Sequence, residues 1–216
     1  MQAVQIATAL ASARVPELSE DRLAVHHLDD GVVVVVADGA GGIPGAAAAA
    51  NMVLAFVEQA IRSRGFGPWS VSSWTELLSR ADVEVDRDRY AGETTAVIVA
   101  ASERGLIGTS CGDSGAWILT MDGIDDVTAH QRKKLRIGSG RARPIPFERP
   151  RLDGTLLVAS DGLFNYARPE GIAGVVARED LDEAAQRLVQ LARLPSGKLA
   201  DDVAIVLARP ARSDGS

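Results

Sequence analysis

Several residue types are scarce in this sequence, and each scarcity excludes a class of protein. A single cysteine, Cys111, excludes an intramolecular disulfide and a thiolate metal cluster. Aromatic residues make up only 4%, and the 23 basic residues are outnumbered by 29 acidic ones, giving a net charge of −6. A general nucleic-acid binder needs a basic face, so that class is disfavoured. Cys111 ends an apolar run and is predicted to be a buried, inert thiol.

Long apolar runs are also absent. The longest, residues 32–37 and 46–50, fall far short of the ~20 residues that cross a bilayer. The first residues lack the basic and apolar segments of an export signal, so we expect a cytoplasmic location. Hydrophobic residues make up 46% of the 216, enough for a sizeable core. We predict a single domain over residues 1–208 and a flexible tail over 209–216.

The order of predicted elements favours an α+β fold with a largely antiparallel sheet and helices packed outside. Regular βαβ alternation is missing, and the connectors between residues 94 and 120 are short, which indicates hairpins. Five consecutive valines at 32–36 do not alternate with polar residues, so both faces of that strand are expected to be covered. Strands are predicted at 4–9, 23–28, 32–37, 94–101, 106–111, 116–120, 124–129, 155–159 and 203–208, helices at 46–64, 71–90, 169–177 and 181–194, and irregular structure at 130–152.

Aspartates fall repeatedly at the ends of these apolar strands. A single Asp-Gly step is ordinary turn chemistry, but several such carboxylates converge if their strands share a sheet. Clustered anions repel in a low-dielectric cleft unless a cation compensates them. Carboxylates without a His or Cys cluster favour a hard ion, magnesium or manganese. The aspartates concerned are Asp21, Asp38, Asp113, Asp161, and the pair Asp201 and Asp202.

The loop after Asp38 consists almost wholly of small residues. Glycines such as Gly39 and Gly41 would let the backbone approach an ion or phosphate closely. The predicted helix from residue 46 starts there, and its N-terminus could help to bind an anion. A dinucleotide-binding fingerprint would need glycine where Pro44 stands, and the chain has no G-K-[ST] of a P-loop.

Taken in order, these motifs resemble those of the metal-dependent serine/threonine protein phosphatases of the PPM (type 2C) family. Each motif alone is weak, but the ordered set extends from about residue 19 to residue 207. The elements that match are Glu20-Asp21-Arg22, Asp38-Gly39-Ala40-Gly41-Gly42, Gly92-Glu93-Thr94-Thr95-Ala96, Gly112-Asp113-Ser114, Ser160-Asp161-Gly162-Leu163 and Asp201-Asp202-Val203-Ala204-Ile205.

The resemblance implies a sandwich of two antiparallel β-sheets flanked by helices on both sides, with a two-metal centre at one end. Asp38 would bridge the two ions, and the Gly39 carbonyl would ligate one of them. Asp161 and Asp201 would hold the other ion. Asp201 is assigned because Asp202 stands where the family often has asparagine.

Three further acids complete the implied ligand set. Glu20 and Asp21 would contribute directly or through water, and Asp113 matches a position that can help to hold a third, weaker ion. Two divalent ions can lower the pKa of a bridging water, so the expected reaction is hydrolysis of phosphoserine or phosphothreonine by a metal-bridging hydroxide.

The chain departs from the family pattern at the residue that protonates the leaving group and at the residue that binds phosphate. Many members carry histidine where this chain has Ala40, so metal-bound water would have to protonate the leaving group. The early arginine that helps to hold phosphate is replaced by Pro16. Arg14 is a shifted candidate for phosphate binding and Arg22 a weaker one, with an ordinary surface role as the alternative for both.

The interval from Asp113 to Asp161 is short for the family, which predicts a small bacterial-type member with a reduced flap. Residues 131–147 would be the remnant of the flap, and their basic residues either meet a phosphoprotein or are simply solvated.

The resulting hypothesis is a magnesium- or manganese-dependent protein phosphatase, and its expected partners are a phosphoprotein substrate and a cognate serine/threonine kinase. A catalytically weak module that binds a kinase or phosphoprotein, and a small-molecule phosphoesterase, are the alternatives.

Overall fold

The computed structural model describes residues 4–15, 18–102, 105–131 and 134–210. The strands are β1 Val4–Ala11, β2 Arg22–Leu28, β3 Gly31–Ala37, β4 Ala96–Ser102, β5 Gly105–Cys111, β6 Gly115–Leu119, β7 Ile124–Asp126, β8 Ile145–Arg149, β9 Thr155–Ala159 and β10 Val203–Pro210. The helices are α1 Ala46–Arg62, α2 Val71–Arg87, α3 Asp161–Phe164, α4 Pro169–Arg178 and α5 Leu181–Leu191.

The strands form two five-stranded antiparallel sheets. One sheet has the order β2-β3-β4-β5-β8, and the other has the order β1-β10-β9-β6-β7. In the first sheet, short turns join β2 to β3 and β4 to β5, and the second of these is a predicted hairpin. The hairpin predicted after β5 is wrong, because β6 belongs to the other sheet. The second sheet is built from both ends of the chain, because β1 pairs with β10 along its whole length.

The valine strand β3 lies at the centre of the first sheet, where both of its faces are buried. Val32, Val34 and Val36 point into the core between the two sheets. Val33 and Val35 point the other way and pack under α1 and α2. The run therefore lacks polar alternation because neither face meets water, which confirms the prediction from the sequence.

The second sheet is covered on its outer face by α3, α4 and α5. Helix α5 begins at its cap Asp180, whose side chain accepts a hydrogen bond from the backbone N–H of Glu183. Its residues Leu181, Ala184 and Leu188 recur at helical spacing and are buried against the sheet. With α1 and α2 on the other side, the architecture is the predicted two-sheet sandwich flanked by helices.

Some predicted elements and boundaries differ from the structure, for example the strand predicted at 124–129, which ends at Asp126. The interval 130–152 is not wholly irregular, because β8 forms within it and pairs with β5. Pro146 argued against a strand in the sequence, because proline cannot donate a backbone hydrogen bond to a neighbouring strand. It is tolerated here because β8 lies at the edge of its sheet.

The predicted tail also begins too early. Arg209 and Pro210 belong to β10, because β1 is long enough to pair with them through Gln5 and Val4. The Arg209 guanidinium also donates hydrogen bonds to the Thr155 hydroxyl, at 2.8 Å, and the Val176 carbonyl, at 3.0 Å. The rest of the predicted tail, residues 211–216, lies outside the described residues.

The helices can be compared with the prediction that no segment is long and apolar enough to cross a bilayer. In the part of the chain that the structure describes, none of the helices combines the length and hydropathy that crossing a bilayer requires.

Candidate metal centre

The topology brings the predicted acidic residues to one end of the sandwich. β2 starts opposite the end of β3, with Arg22 facing Ala37. In the other sheet, β10 starts near the end of β9, with Ile205 facing Ala159. Residues that precede β2 and β10 therefore lie at the same end as residues that follow β3 and β9.

Three of the aspartates meet directly. Asp38, Asp113 and Asp161 each place one carboxylate oxygen so that these atoms all lie within 4.8 Å of one another. These residues come from three separate connections, after β3, after β5 and after β9. All three are partly buried, so they form an acidic cleft rather than a scatter of surface charges. We call these three residues the carboxylate cluster.

Asp38 is held by the threonine pair at 94 and 95, whose role the sequence did not reveal. The Asp38 carbonyl accepts hydrogen bonds from the Thr95 N–H and the Thr94 hydroxyl, both at 2.8 Å. The Asp38 N–H donates to the Thr95 hydroxyl at 3.1 Å. That hydroxyl lies 2.6 Å from the hydroxyl of Ser114, next to Asp113. This buried network fixes the backbone around two members of the carboxylate cluster relative to each other.

Asp161 is fixed by its neighbours on either side. The Ser160 backbone and side chain bond to Ala204 of β10, with distances of 3.0 and 2.9 Å. Gly162 packs so closely that an added Cβ would lie 1.9 Å from the Asp202 carbonyl oxygen. Asp161 itself accepts a hydrogen bond from the Asn165 amide at 2.9 Å. The glycine is therefore required for packing, and the Asp-Gly step is more than an ordinary turn.

Burial and mutual repulsion raise the pKa values of these acids. Burial, followed by the charges of Asp21 and Asp161, raises the pKa of Asp38 to about 10. Burial raises the pKa of Asp21 to about 7. The pKa of Asp161 is also raised, first by burial and then by the charges of Asp113 and Asp201. Without a cation, at least one of these groups therefore holds a proton at neutral pH.

The adjacent residues Asp201 and Asp202 have different surroundings. Asp202 accepts hydrogen bonds from the Ser12 hydroxyl at 2.9 Å, the Ala13 N–H at 2.8 Å and the Glu20 N–H at 2.7 Å. It thus ties β10 to the segments before β2. Asp201 is exposed and close enough for its charge to raise the pKa of Asp161 and Asp38. This difference supports the choice of Asp201 as the ligand candidate.

The early acidic pair lies beside the Asp38 loop. The Glu20 carbonyl accepts a hydrogen bond from the Gly39 N–H at 3.3 Å. Asp21 is 1% exposed, and its Oδ2 atom has no hydrogen-bond partner among the described residues. A buried carboxylate oxygen without a partner is costly, and a bound cation would satisfy it.

Gly39 is constrained by the protein itself. An added Cβ would lie 2.8 Å from the backbone of Ala46 and 3.0 Å from the Glu20 carbonyl. Glycine is thus needed for the close approach of α1 to the loop, in addition to any role of its carbonyl. Gly41 is the more open position, because its nearest neighbour would be the Glu20 carboxylate at 3.9 Å.

Neither predicted phosphate-binding arginine is placed in the carboxylate cluster. Arg14 is exposed, and its backbone N–H donates to the Ser12 hydroxyl. The Arg22 guanidinium donates to the Ser19 and Asp21 carbonyls and to the Asn51 amide oxygen, so it braces the loop before β2. Position 16 lies outside the described residues. The arginine that does approach the cluster is Arg136, whose guanidinium lies 3.8 Å from the Asp113 carboxylate.

Cys111 is a buried, inert thiol, as predicted. Its side chain is buried, and its thiol donates to the Leu135 carbonyl at 3.1 Å. Burial raises the pKa of this thiol to about 11, so the reactive thiolate is disfavoured at neutral pH.

The residues present fit a hard divalent cation. The available donors are carboxylate and backbone oxygens, and the carboxylate cluster, Glu20 and Asp21 supply enough of them for such an ion. The unsatisfied Asp21 oxygen and the raised pKa values show the cost of leaving the acids uncompensated. These properties are expected of a site that is completed by bound cations.

A family model described as Stage II sporulation protein E (SpoIIE) matches residues 28–211 of the chain. The chain belongs to the SpoIIE family. This SpoIIE-family domain has the PPM-type fold that the ordered motifs predicted. The match begins after Glu20 and Asp21, so the placement of that pair at the site rests on the structure. No curated protein matches the sequence.

Solved structures of bacterial phosphatases share this fold over their whole length. The S. agalactiae serine/threonine phosphatase has a TM-score of 0.78 at 20% identity, with 96% of this chain and 99% of that one covered. The Mycobacterium tuberculosis serine/threonine phosphatase PstP/Ppp has a TM-score of 0.78 at 19% identity, covering 97% and 99%. The PstP catalytic domain in complex with two manganese ions has a TM-score of 0.77 at 19% identity, covering 98% and 100%.

Proposed function

We propose that this SpoIIE-family domain is a metal-dependent protein phosphatase that hydrolyses phosphoserine or phosphothreonine. The observation that carries the proposal is the carboxylate cluster, in which three partly buried aspartate oxygens lie within 4.8 Å. Such a cluster is costly to fold, and cation binding offsets the cost. Structural neighbours described as serine/threonine phosphatases, one of them with two manganese ions, support the choice of reaction and metal.

The proposed ligand set combines the carboxylate cluster with the acids that the family resemblance implies. Asp38 would contact both ions, with Asp161 and Asp201 on one side. Glu20, Asp21 and the Gly39 carbonyl would lie on the other. Asp113 belongs to the carboxylate cluster and would hold a third ion or support the first two. The ions would be magnesium or manganese, since all the donors are oxygens.

Bound divalent ions supply an activated water and neutralise charge on the phosphoryl oxygens. The chain's own contribution is to hold the acids in a fixed arrangement through Thr94, Thr95 and Ser160. Leu163 and the strand ends around the cluster are buried. Close packing limits their movement, so the positions of the acids are fixed before an ion binds. In the described residues near Asp38, the position of a family histidine is taken by buried Ala40, which cannot donate a proton.

The proposed substrate is a phosphoprotein, and a serine/threonine kinase that phosphorylates the same protein is the expected counterpart. A cytoplasmic location stays a prediction from the sequence. A catalytically weak or inactive module that binds a kinase or phosphoprotein is the alternative, and no feature of the described site favours it over catalysis.

Two substrates and three metal conditions test the proposal. Wild-type protein is assayed with p-nitrophenyl phosphate and with a phosphothreonine peptide, in manganese, in magnesium and in EDTA. We expect hydrolysis of both substrates that EDTA abolishes. Asp161→Asn should lose this activity because a ligand is removed, while Asp122→Asn, in the exposed turn before β7, should keep it.

The outcomes separate the alternatives. Activity that survives in Asp161→Asn would reject the assigned centre. Metal binding without hydrolysis of either substrate would favour the binding module. In a further assay with nucleoside monophosphates, a kcat/KM far above that for the peptide would indicate a small-molecule phosphoesterase.

A further inference from the structure

An arginine from the segment between β7 and β8 lies at the edge of the carboxylate cluster. The Arg136 guanidinium is 3.8 Å from the Asp113 carboxylate, beyond ordinary hydrogen-bonding distance. Its Nε atom is buried and has no hydrogen-bond partner within the described residues. The side chain is 33% exposed, so the rest of the guanidinium can reach solvent in the cleft.

The backbone next to Arg136 is fixed to the metal-binding loop. Ile137 is fully buried and exchanges two backbone hydrogen bonds with Thr94, at 2.9 and 2.8 Å. Thr94 in turn donates its hydroxyl to the Asp38 carbonyl. Arg136 is therefore placed by the same strand-like bridge that positions Asp38, and it does not sit on a free loop.

A buried acid on α2 anchors the residues that follow Ile137. Asp82 is 4% exposed, and its carboxylate accepts the N–H groups of Gly138 at 2.8 Å, Gly140 at 3.2 Å and Ala142 at 3.0 Å. Three such bonds hold a loop firmly, because a buried carboxylate left without donors is costly. The chain directly after Arg136 is thus held at Ile137 and again at residues 138–142.

A guanidinium held in this way suits a phosphoryl group better than it suits Asp113. An ion pair at 3.8 Å and partial exposure contributes little to stability. A planar guanidinium offers several donors that match the tetrahedral oxygens of a phosphoryl group. Once cations compensate Asp113, those donors are left to an anionic ligand.

We propose that Arg136 binds the phosphoryl group of the substrate. This inference rests on the proposed function, since it assumes that a phosphoryl group enters the cleft. Arg22 is occupied in bracing the Ser19–Asp21 turn, and Arg14 is exposed, without the buried backbone anchors that fix Arg136.

The test compares Arg136→Ala and Arg136→Lys with Arg141→Ala, which removes an exposed arginine from the same segment. Manganese-loaded proteins are titrated with inorganic phosphate by calorimetry, and phosphate is also measured as a competitive inhibitor of p-nitrophenyl phosphate hydrolysis. Loss of a charge-assisted bond predicts about 10- to 100-fold weaker phosphate binding in Arg136→Ala. Arg136→Lys should recover part of it, and Arg141→Ala should match wild type.

Manganese affinity, measured without substrate, distinguishes a role in phosphate binding from a structural role toward Asp113. Arg136→Ala should bind manganese as tightly as wild type or more tightly, because a positive charge near the ions is removed. Weaker manganese binding with unchanged phosphate binding would overturn the inference and assign Arg136 to the acids. Phosphate binding that depends on Arg136 in a protein without turnover would uphold the inference while rejecting the proposed enzyme.

Discussion

Replacing Asp38 by asparagine should make the metal-free protein more stable. Asp38 sits among Asp21 and Asp161, and burial with these charges raises its pKa to about 10 from an ordinary 3.8. The folded state then binds more protons than the unfolded state between these values, so stability falls as pH rises through this window. An uncharged amide of the same shape removes that penalty.

The size of the effect follows from the distance between pH 7 and the ordinary pKa. At 1.36 kcal/mol per pH unit, this distance gives a penalty of roughly 4 kcal/mol as an upper limit. Relaxation of the side chain and water entry reduce it, so we expect a gain of about 1–3 kcal/mol in the free energy of unfolding at pH 7. For a chain of this size the gain corresponds to a rise in Tm of about 3–10 °C.

Thermal unfolding in EDTA and in manganese provides the assay. Asp38→Asn should melt above wild type in EDTA, and the difference should shrink as the pH falls toward 3.8, because the unfolded state then begins to take up the same proton. Manganese should raise the Tm of wild type and leave that of Asp38→Asn almost unchanged. Asp122→Asn should behave as wild type in both conditions. A lower Tm for Asp38→Asn in EDTA, or an undiminished response to manganese, would refute the reasoning.

Three further predictions concern the same end of the sandwich. Manganese should bind more weakly at pH 6 than at pH 8, with protons released on binding, because Asp21 and Asp38 hold protons that the ion must displace; pH-independent calorimetric affinity would contradict this. Gly162→Ala should lower the urea midpoint by a free energy of about 2 kcal/mol or more, because its Cβ would lie 1.9 Å from the Asp202 carbonyl, whereas Gly174→Ala, in open space on α4, should be neutral or stabilising. Asp202→Asn should cost about 1–3 kcal/mol by chemical denaturation, since the new NH2 is only a donor and would face at least one of the three donors that the carboxylate accepts from; an unchanged midpoint would show that these bonds are dispensable.

The sequence was sufficient to predict most of the fold, because its strongest patterns are local. The valine run of β3 is apolar on both faces, which requires cover on both sides. The connector between β4 and β5 is too short for a crossover, so that hairpin was predictable, whereas the equally short connector after β5 crosses to the other sheet. Asp38 and Asp161 were identified because each ends an apolar strand and is followed by glycine. Their strands, β3 and β9, lie in different sheets, so the packing of one sheet on the other brings them together, and the sequence did not predict that.

The remaining features depend on contacts between residues that are distant along the chain. Arg136 follows no strand and lies in a basic stretch, of which positions 132 and 133 are outside the described residues. Its position near Asp113 is set by Ile137 and by Asp82 on α2, more than fifty residues earlier in the chain. Similarly, Asp202 resembles a ligand in the sequence, and only its three hydrogen bonds show that it anchors the neighbouring loop.

The central claim is that the fold gathers carboxylates which bound divalent cations then compensate. It is tested most directly by an anomalous difference map from a manganese-soaked crystal, collected at the manganese absorption edge. The account predicts anomalous peaks bonded to the carboxylate oxygens of Asp38 and Asp161, with Asp113 beside them. A map with no peak in this cleft, or with manganese bound elsewhere and the three aspartates apart, would contradict it.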